Sequence, residues 1–236
     1  MSIAEKLTAI AEDLPKVYDS GVDKGESSVW DVIQGVGGTR IIYDHAFRFW
    51  GGEYIHPKYK VIPMRKTAYV GGQHLRFVFE YAKVKKIESK YFDFSNVNFN
   101  ANSNLTDCIY GFFRYCDNLE EIEDIGLNAG GYYYTYNGCS KLHTIAVMRC
   151  VKEGTYNGVF TNCTALKNIT IEGVIGTNFN ISACGELSKA SQDSIIDHLA
   201  DLTGETAQTI SWHSKIVESL SDEQISRIES KNWIYE

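Results

Sequence analysis

Four segments of this chain share one spacing: an aromatic or aliphatic residue, a cysteine three positions on, and a leucine three positions after that. They are Phe113, Cys116, Leu119; Tyr136, Cys139, Leu142; Phe160, Cys163, Leu166; and Ile181, Cys184, Leu187. The first three add an isoleucine at the next step of three, Ile122, Ile145 and Ile169. The cysteines fall 23, 24 and 21 residues apart. A period in that range predicts stacked structural repeats rather than an ordinary globular layout.

Each repeat has a physical reading. The aromatic residue and the cysteine lie on one face of a short helical turn. The segment then alternates, Ile145-Ala146-Val147 and Ile169-Thr170-Ile171, which predicts a short strand with one buried face. A single repeat cannot cover its own apolar side, so stacking must build ladders of Phe, Cys, Leu and Ile. Tyr81, Val84 and Ile87 fit the pattern with Tyr81 at the cysteine position, and Phe92 to Val97 suggests a further strand and turn. The stack is therefore expected to begin near Tyr69.

Six cysteines, Cys108, Cys116, Cys139, Cys150, Cys163 and Cys184, invite a disulfide reading. The repeat offers a better one, because four of them occupy one structural position, where cysteine acts as a small buried hydrophobe. No Cys-x-x-Cys pair occurs, which argues against zinc, and no metal or cofactor is expected. Asn104, Asn162, Asn168 and Asn180 head Asn-x-Ser/Thr triplets and read as turn and ladder residues rather than glycan acceptors.

The repeat pattern resembles the leucine-rich repeats of the BspA type, whose coils read roughly aromatic-x-x-Cys-x-x-Leu-x-x-Ile, over about a third of the chain. Such repeats occur in bacterial surface proteins and in phage or prophage structural proteins. The resemblance implies a fold and a habit of binding macromolecules; it implies no reaction. The opening Met1 to Gly21, with Val17-Tyr18-Asp19-Ser20-Gly21 and then Trp30-Asp31, is similar to the start of leucine-rich-repeat minor structural proteins of Firmicutes phages and prophages. The run from Leu187-Ser188 to Lys231-Asn232-Trp233 resembles their C-terminal cap. The expected fold is α+β: a leucine-rich repeat solenoid of short strands and helical turns, with an N-terminal helix and an α/β C-terminal cap. The expected divisions are residues 1–20, an amphipathic helix; 21–66, an N-terminal cap segment; 67–187, the solenoid; and 188–236, the C-terminal cap.

At the N-terminus, Ser2 and Glu5 form a capping box. Ile3, Leu7, Ile10, Leu14 and Val17 then follow heptad steps, and Pro15 argues against an unbroken helix past Leu14. This helix either packs on its own domain or joins several chains; with Leu at a and Ile at d, a joint would favour three or four strands. Gly35 to Arg40 lacks the Lys-Ser/Thr of a phosphate loop and reads as a plain loop. The aromatics Tyr43, Phe47, Phe49, Trp50 and Tyr54 are expected to shield the first coil. Beyond Leu187, Ser188 caps a helix carrying Ile195, Ile196, Leu199 and Leu202, closed by Gly204. Thr206 to His213 reads as a strand, and Ser221 with Gln224 opens a helix carrying Ile225 and Ile228.

A net charge of -7 argues against general binding to nucleic acid or anionic membranes. Lys83, Lys85, Lys86 and Lys90 form a small basic group that reads as the solvated face of a strand. No apolar run reaches the length of a membrane span, and no signal peptide is visible, so synthesis in the host cytoplasm, with the virion as a later destination, is expected. None of the six histidines sits in a His-x-x-x-His pair, and the neighbours Asp44 and His45 do not by themselves make a base and its orienter. No catalytic residue is assigned, although scattered carboxylates can converge in space.

Tyr110, Tyr133 and Tyr134 are the candidate binding residues. Tyr132 and Tyr136 match apolar positions of neighbouring repeats, whereas Tyr133 matches Tyr110 and Asn157, and Tyr134 matches Gly111 and Gly158. Two tyrosines without a core role make an exposed aromatic strip, suited to a protein partner or a cell-surface glycan; alternatively they pack under a neighbouring loop. The leading expectation is a non-enzymatic phage structural or binding protein, associated with tail or baseplate and oligomeric through its N-terminal helix. The alternatives are a free cytoplasmic protein that captures a host defence protein, and a carbohydrate-binding protein.

Overall fold

The computed structural model describes residues 48–55, 77–95 and 109–236. The N-terminal helix with Ile3, Leu7, Ile10, Leu14 and Val17, the glycine loop at 35–40, Asp44, His45 and Cys108 lie outside the described residues. What is described is a mixed α/β arrangement of small parallel sheets and few helices.

The largest sheet has four parallel strands in the order β1, β3, β5, β6: Lys86–Ile87, Glu121–Ile122, Thr144–Cys150 and Asn168–Gly173. Its register is the repeat itself, with Ile87 opposite Ile122, Ile122 opposite Ile145 and Ile145 opposite Ile169. A second pair, β2 (Ile109–Tyr110) and β4 (Tyr132–Tyr133), runs along the turn side. The third sheet is C-terminal and parallel: β7 (Phe179–Asn180), β8 (Gln208–Ser211) and β9 (Trp233–Tyr235). Three helices complete the described fold: α1 (Lys189–Asp197), α2 (Ser214–Val217) and α3 (Asp222–Ser230).

The core is the set of predicted ladders. Phe113, Tyr136 and Phe160 stack ring on ring, and Leu119, Leu142 and Leu166 are buried beneath them. Cys116, Cys139, Cys163 and Cys184 are free and buried. Three of them do more than fill space. The Cys116 thiol donates to the Phe79 carbonyl at 2.8 Å, Cys139 to Phe113 at 3.0 Å and Cys163 to Tyr136 at 3.0 Å. Each thiol thus ties its repeat to the aromatic position of the one before.

Those bonds correct the upstream register. Phe79 is the aromatic position, and Ala82, whose amide donates to Phe79 O as the cysteine amides do in their own repeats, stands at the cysteine position. Tyr81 does not: it is exposed, one residue earlier. Val84 and Ile87 keep their expected places because this repeat is one residue shorter between Ala82 and Val84. Residues 48–55 lie against this repeat through bonds of the same kind, Phe49 N to Glu80 O as Tyr81 N to Arg114 O, and Lys85 N to Glu53 O as Glu120 N to Lys85 O.

Two further expectations change. In β5 a bulge between Ile145 and Met148 breaks the alternation, so Met148 rather than Val147 enters the core. The helix begun at Ser188 ends at Asp197, capped by His198, well before Gly204; Leu199 and Leu202 are buried but lie outside it. The Ser221–Gln224 capping box is present with both of its hydrogen bonds. Ile228 is buried and Ile225 only partly so. Lys231 fastens this end: its ammonium donates to the carbonyls of Ile196, Asp197 and Leu199 at 3.0, 2.8 and 2.9 Å, adding to the amide bonds that close the helix.

Candidate binding face

On the turn side, two columns of residues have left-handed backbone. Five positions before the cysteine stand Phe77, Gly111, Tyr134 and Gly158, with φ of 55°, 58°, 51° and 63°. One position before it stand Tyr81, Tyr115, Gly138 and Asn162, with φ of 60°, 58°, 80° and 62°. Glycine adopts this conformation without the penalty a side chain incurs. Here it has a second use, because a glycine in one repeat lets the ring of the preceding repeat lie flat on its backbone. A Cβ on Gly138 would stand 2.3 Å from the Tyr115 ring, and one on Gly158 would stand 2.3 Å from the Tyr134 ring. The match of Tyr134 with glycine therefore reflects an alternation of ring and gap, not a place free of packing.

The structure brings Tyr110, Tyr133 and Tyr134 together. The rings of Tyr110 and Tyr133 stack at 5.1 Å, and Tyr133 meets Tyr134 edge-on at 4.7 Å. The Asn157 amide donates to the Tyr133 hydroxyl at 3.3 Å. All three tyrosines are half-buried. They form a strip that offers one face and packs with the other. Sequence reasoning missed its neighbour, a second strip of Phe49, Tyr81 and Tyr115 stacked at 5.2 and 5.1 Å. The signal was the aromatic one place before the cysteine position. Between the strips the carboxylate of Glu80, 2% exposed, pairs with Arg48 at 2.7 Å and Arg114 at 3.5 Å. The Arg114 guanidinium lies over the rings of Tyr115 and Tyr134 at 4.7 and 5.8 Å.

The lysine group at 83–90 is matched by acids: Lys83 with Asp117, Lys85 with Glu53, Lys86 with Glu121 and Glu123, and Lys90 with Glu88. Asn168 bonds Thr144 across the sheet at 3.3 Å, and Asn162 occupies a left-handed turn, in line with their reading as ladder and turn residues.

Beyond Asn157 and Gly158 the strip runs into a groove of about 690 Å³ between the Cys163 repeat and β7–β8. Its walls carry Asn157, Thr161, Asn178, Asn180, Thr209 and Ser211, with Glu153 and Glu236 also lining it. Hydroxyl and amide groups dominate, and no basic side chain among the described residues lines it. Among the described residues no group of three or more His, Cys, Asp or Glu could hold a metal ion, and no helix is long and apolar enough to cross a membrane. Burial pushes the thiols of Cys150 and Cys184 up to about 12 and those of Cys116 and Cys163 well above the usual thiol range, which leaves these four poor nucleophiles. No family model, curated protein or solved structure matches this chain.

Proposed function

We propose that this chain is a leucine-rich repeat solenoid of the BspA type, of Firmicutes phage or prophage origin, that acts without catalysis as a structural or binding protein at the tail or baseplate. The observation that carries the reading is the recurrence of one backbone register through successive repeats, with aromatic, arginine and polar side chains gathered along the turn side. A continuous half-buried strip of that kind suits macromolecular recognition: rings already packed on one face lose little freedom when the other is covered. Mass spectrometry of purified phage particles tests the placement. Recovery of this chain at a fixed copy number per particle, together with tail proteins, is the expected result. Recovery only from the particle-free lysate overturns the tail assignment in favour of a free protein that captures a host component.

A further inference from the structure

The seams between repeats are held by main-chain bonds that follow one rule. In the Cys116 repeat the amides of Ile109, Gly111, Phe113 and Tyr115 donate to the carbonyls of Gly131, Tyr133, Thr135 and Asn137 in the next repeat. In the Cys139 repeat the amides of Tyr132, Tyr134, Tyr136 and Gly138 donate to Thr155, Asn157, Val159 and Thr161 at 2.7 to 3.1 Å. Each peptide unit in these rows accepts from the repeat before it and donates to the repeat after it. The amide and carbonyl of a trans peptide point in opposite directions, so the amides of Tyr156, Gly158, Phe160 and Asn162 face onward, and Tyr156 and Gly158 line the groove. Among the described residues none of these four has an acceptor.

The row ends because the next repeat splays. It is shorter, with Cys184 only 21 positions after Cys163, and Phe179 swings in against Tyr156 and Phe160. Its strand β7 pairs with β8 instead of closing on the Cys163 repeat. The Cys184 thiol finds no carbonyl among the described residues, unlike the three thiols before it. The strand side of the Cys163 repeat is sealed: the edge amides of Ile169 and Ile171 donate to the hydroxyls of Ser191 and Ser194 on α1, both at 2.9 Å. One edge is capped and the other is left as a row of donors on alternate residues. Aligned peptide dipoles add a positive bias at that end, as they do at a helix N-terminus. On the far wall the amide of Ile181 bonds Ser211 O, so the carbonyl of the same peptide, Asn180 O, points back into the groove.

We propose that this groove binds a polypeptide segment from a partner protein, whose carbonyls accept from the amides of Tyr156 and Gly158 in the groove wall and from those of Phe160 and Asn162 beyond it, and so complete the interrupted ladder. The row runs through a turn with Gly158 and Asn162 left-handed, so the segment follows that turn, as the carbonyls of Thr155, Asn157, Val159 and Thr161 follow the row before it. Glu153 and Glu236 favour a basic side chain in that segment. The inference rests on the macromolecule-binding role proposed above and names its partner class.

A random dodecapeptide display library selected on the full-length protein supplies the probe, and amide exchange by NMR supplies the readout. In the free protein the amides of Tyr156, Gly158, Phe160 and Asn162 should exchange at least about a hundredfold faster than those of Tyr132, Tyr134, Tyr136 and Gly138, because exchange follows hydrogen bonding. A selected peptide should slow the first four and leave the second four unchanged. Replacing one accepting amide of that peptide by an ester should weaken binding about tenfold, as expected for one main-chain bond. Thr209→Trp, on the far wall, should fill the groove and abolish binding without changing the melting temperature. Slow exchange of the four amides in the free protein overturns the proposal, as does protection by chitohexaose or maltoheptaose with no peptide selected. Peptides that bind but protect only the tyrosine strip overturn the groove assignment and leave the recognition role standing. Loss of the recognition role would appear separately, as failure of both peptides and glycans to bind anywhere on the chain.

Discussion

The seam between the Cys139 and Cys163 repeats and the seam between the Cys163 and Cys184 repeats differ in one respect that explains much of the molecule. The first is closed along its whole depth: ring on ring at Tyr136 and Phe160, thiol to carbonyl from Cys163 to Tyr136, and four main-chain bonds on the turn side. The second keeps its apolar contacts and its strand-side seal but, among the described residues, has no turn-side main-chain bonds. Burying the same kinds of side chain therefore does not by itself close a ladder. Closure also needs the turn-side peptide units of the two repeats to come into register.

The largest effect that would break the comparison is in the closed seam. Leu142 is fully buried in the apolar core, and Leu142→Asp places a charge there. The variant should lose its folded state, seen as loss of near-ultraviolet dichroism and rapid labelling of Cys139 and Cys163. Leu142→Ala should remain folded and cost about 2–5 kcal/mol by urea unfolding.

A smaller effect lies in the ring-and-glycine columns. Gly138 has φ 80° and carries the Tyr115 ring against its backbone, so Gly138→Ala meets both a strained conformation and a ring in the way. A cost of about 2–3 kcal/mol is expected. Adding Tyr115→Ala should return part of it, because the ring clash disappears while the backbone strain stays. Strict additivity of the two substitutions would refute the alternation of ring and gap.

The parts of this architecture legible in the sequence were those that depend on spacing. Cys, Leu and Ile at steps of three placed the ladders and the register of β3, β5 and β6. The capping residues Ser188 and Ser221 placed the starts of α1 and α3, while the short α2 was missed. Single-residue departures escaped: the shorter repeat at Ala82, which put Tyr81 outside, and the bulge that exchanged Val147 for Met148. Side-chain pattern cannot report them, because one residue more or less moves a chain to the other face while the composition stays the same. For the candidate face, the three tyrosines were found by position, but the open row of amides was not. Main-chain donors carry no residue identity; only the shorter interval before Cys184 hinted at a break.

A pH effect tests the electrostatics across the seam between β1 and β3. The Glu123 carboxyl is held down at about 2, first by the ammonium of Lys86 at 2.8 Å and then by the amide and hydroxyl of Ser89 at 2.9 and 2.8 Å. Its folded value lies below the ordinary 4.5, so its contribution is complete above about pH 4.5 and is lost as pH falls towards 2. The side chain is 31% exposed, and with solvent screening the contribution is about 1–2 kcal/mol. Asp124, held down by Arg149, acts in the same direction. Urea midpoints measured from pH 6 to pH 2 should fall less steeply in Glu123→Gln than in the parent. Identical slopes would remove Glu123 from the acid limb.

The finest test sets equivalent cysteines against each other. Cys139 and Cys184 stand at the same position of their repeats, and both are fully buried. Replacing either by alanine removes one sulfur from a close-packed core. At Cys139 the change also strips a donor from the Phe113 carbonyl, whereas Cys184 has no such bond among the described residues. Cys139→Ala should therefore cost more than Cys184→Ala, by about 0.5–1.5 kcal/mol, the net worth of one hydrogen bond. Serine separates that term from packing. It restores a donor at Cys139, where the carbonyl is in place to accept it, but at Cys184 it buries a hydroxyl without a partner. Cys139→Ser should thus be milder than Cys139→Ala, and Cys184→Ser harsher than Cys184→Ala. If both sites rank the two replacements alike, the thiols act only as filling, and the break in the ladder after Cys163 would have to be argued from the main chain alone.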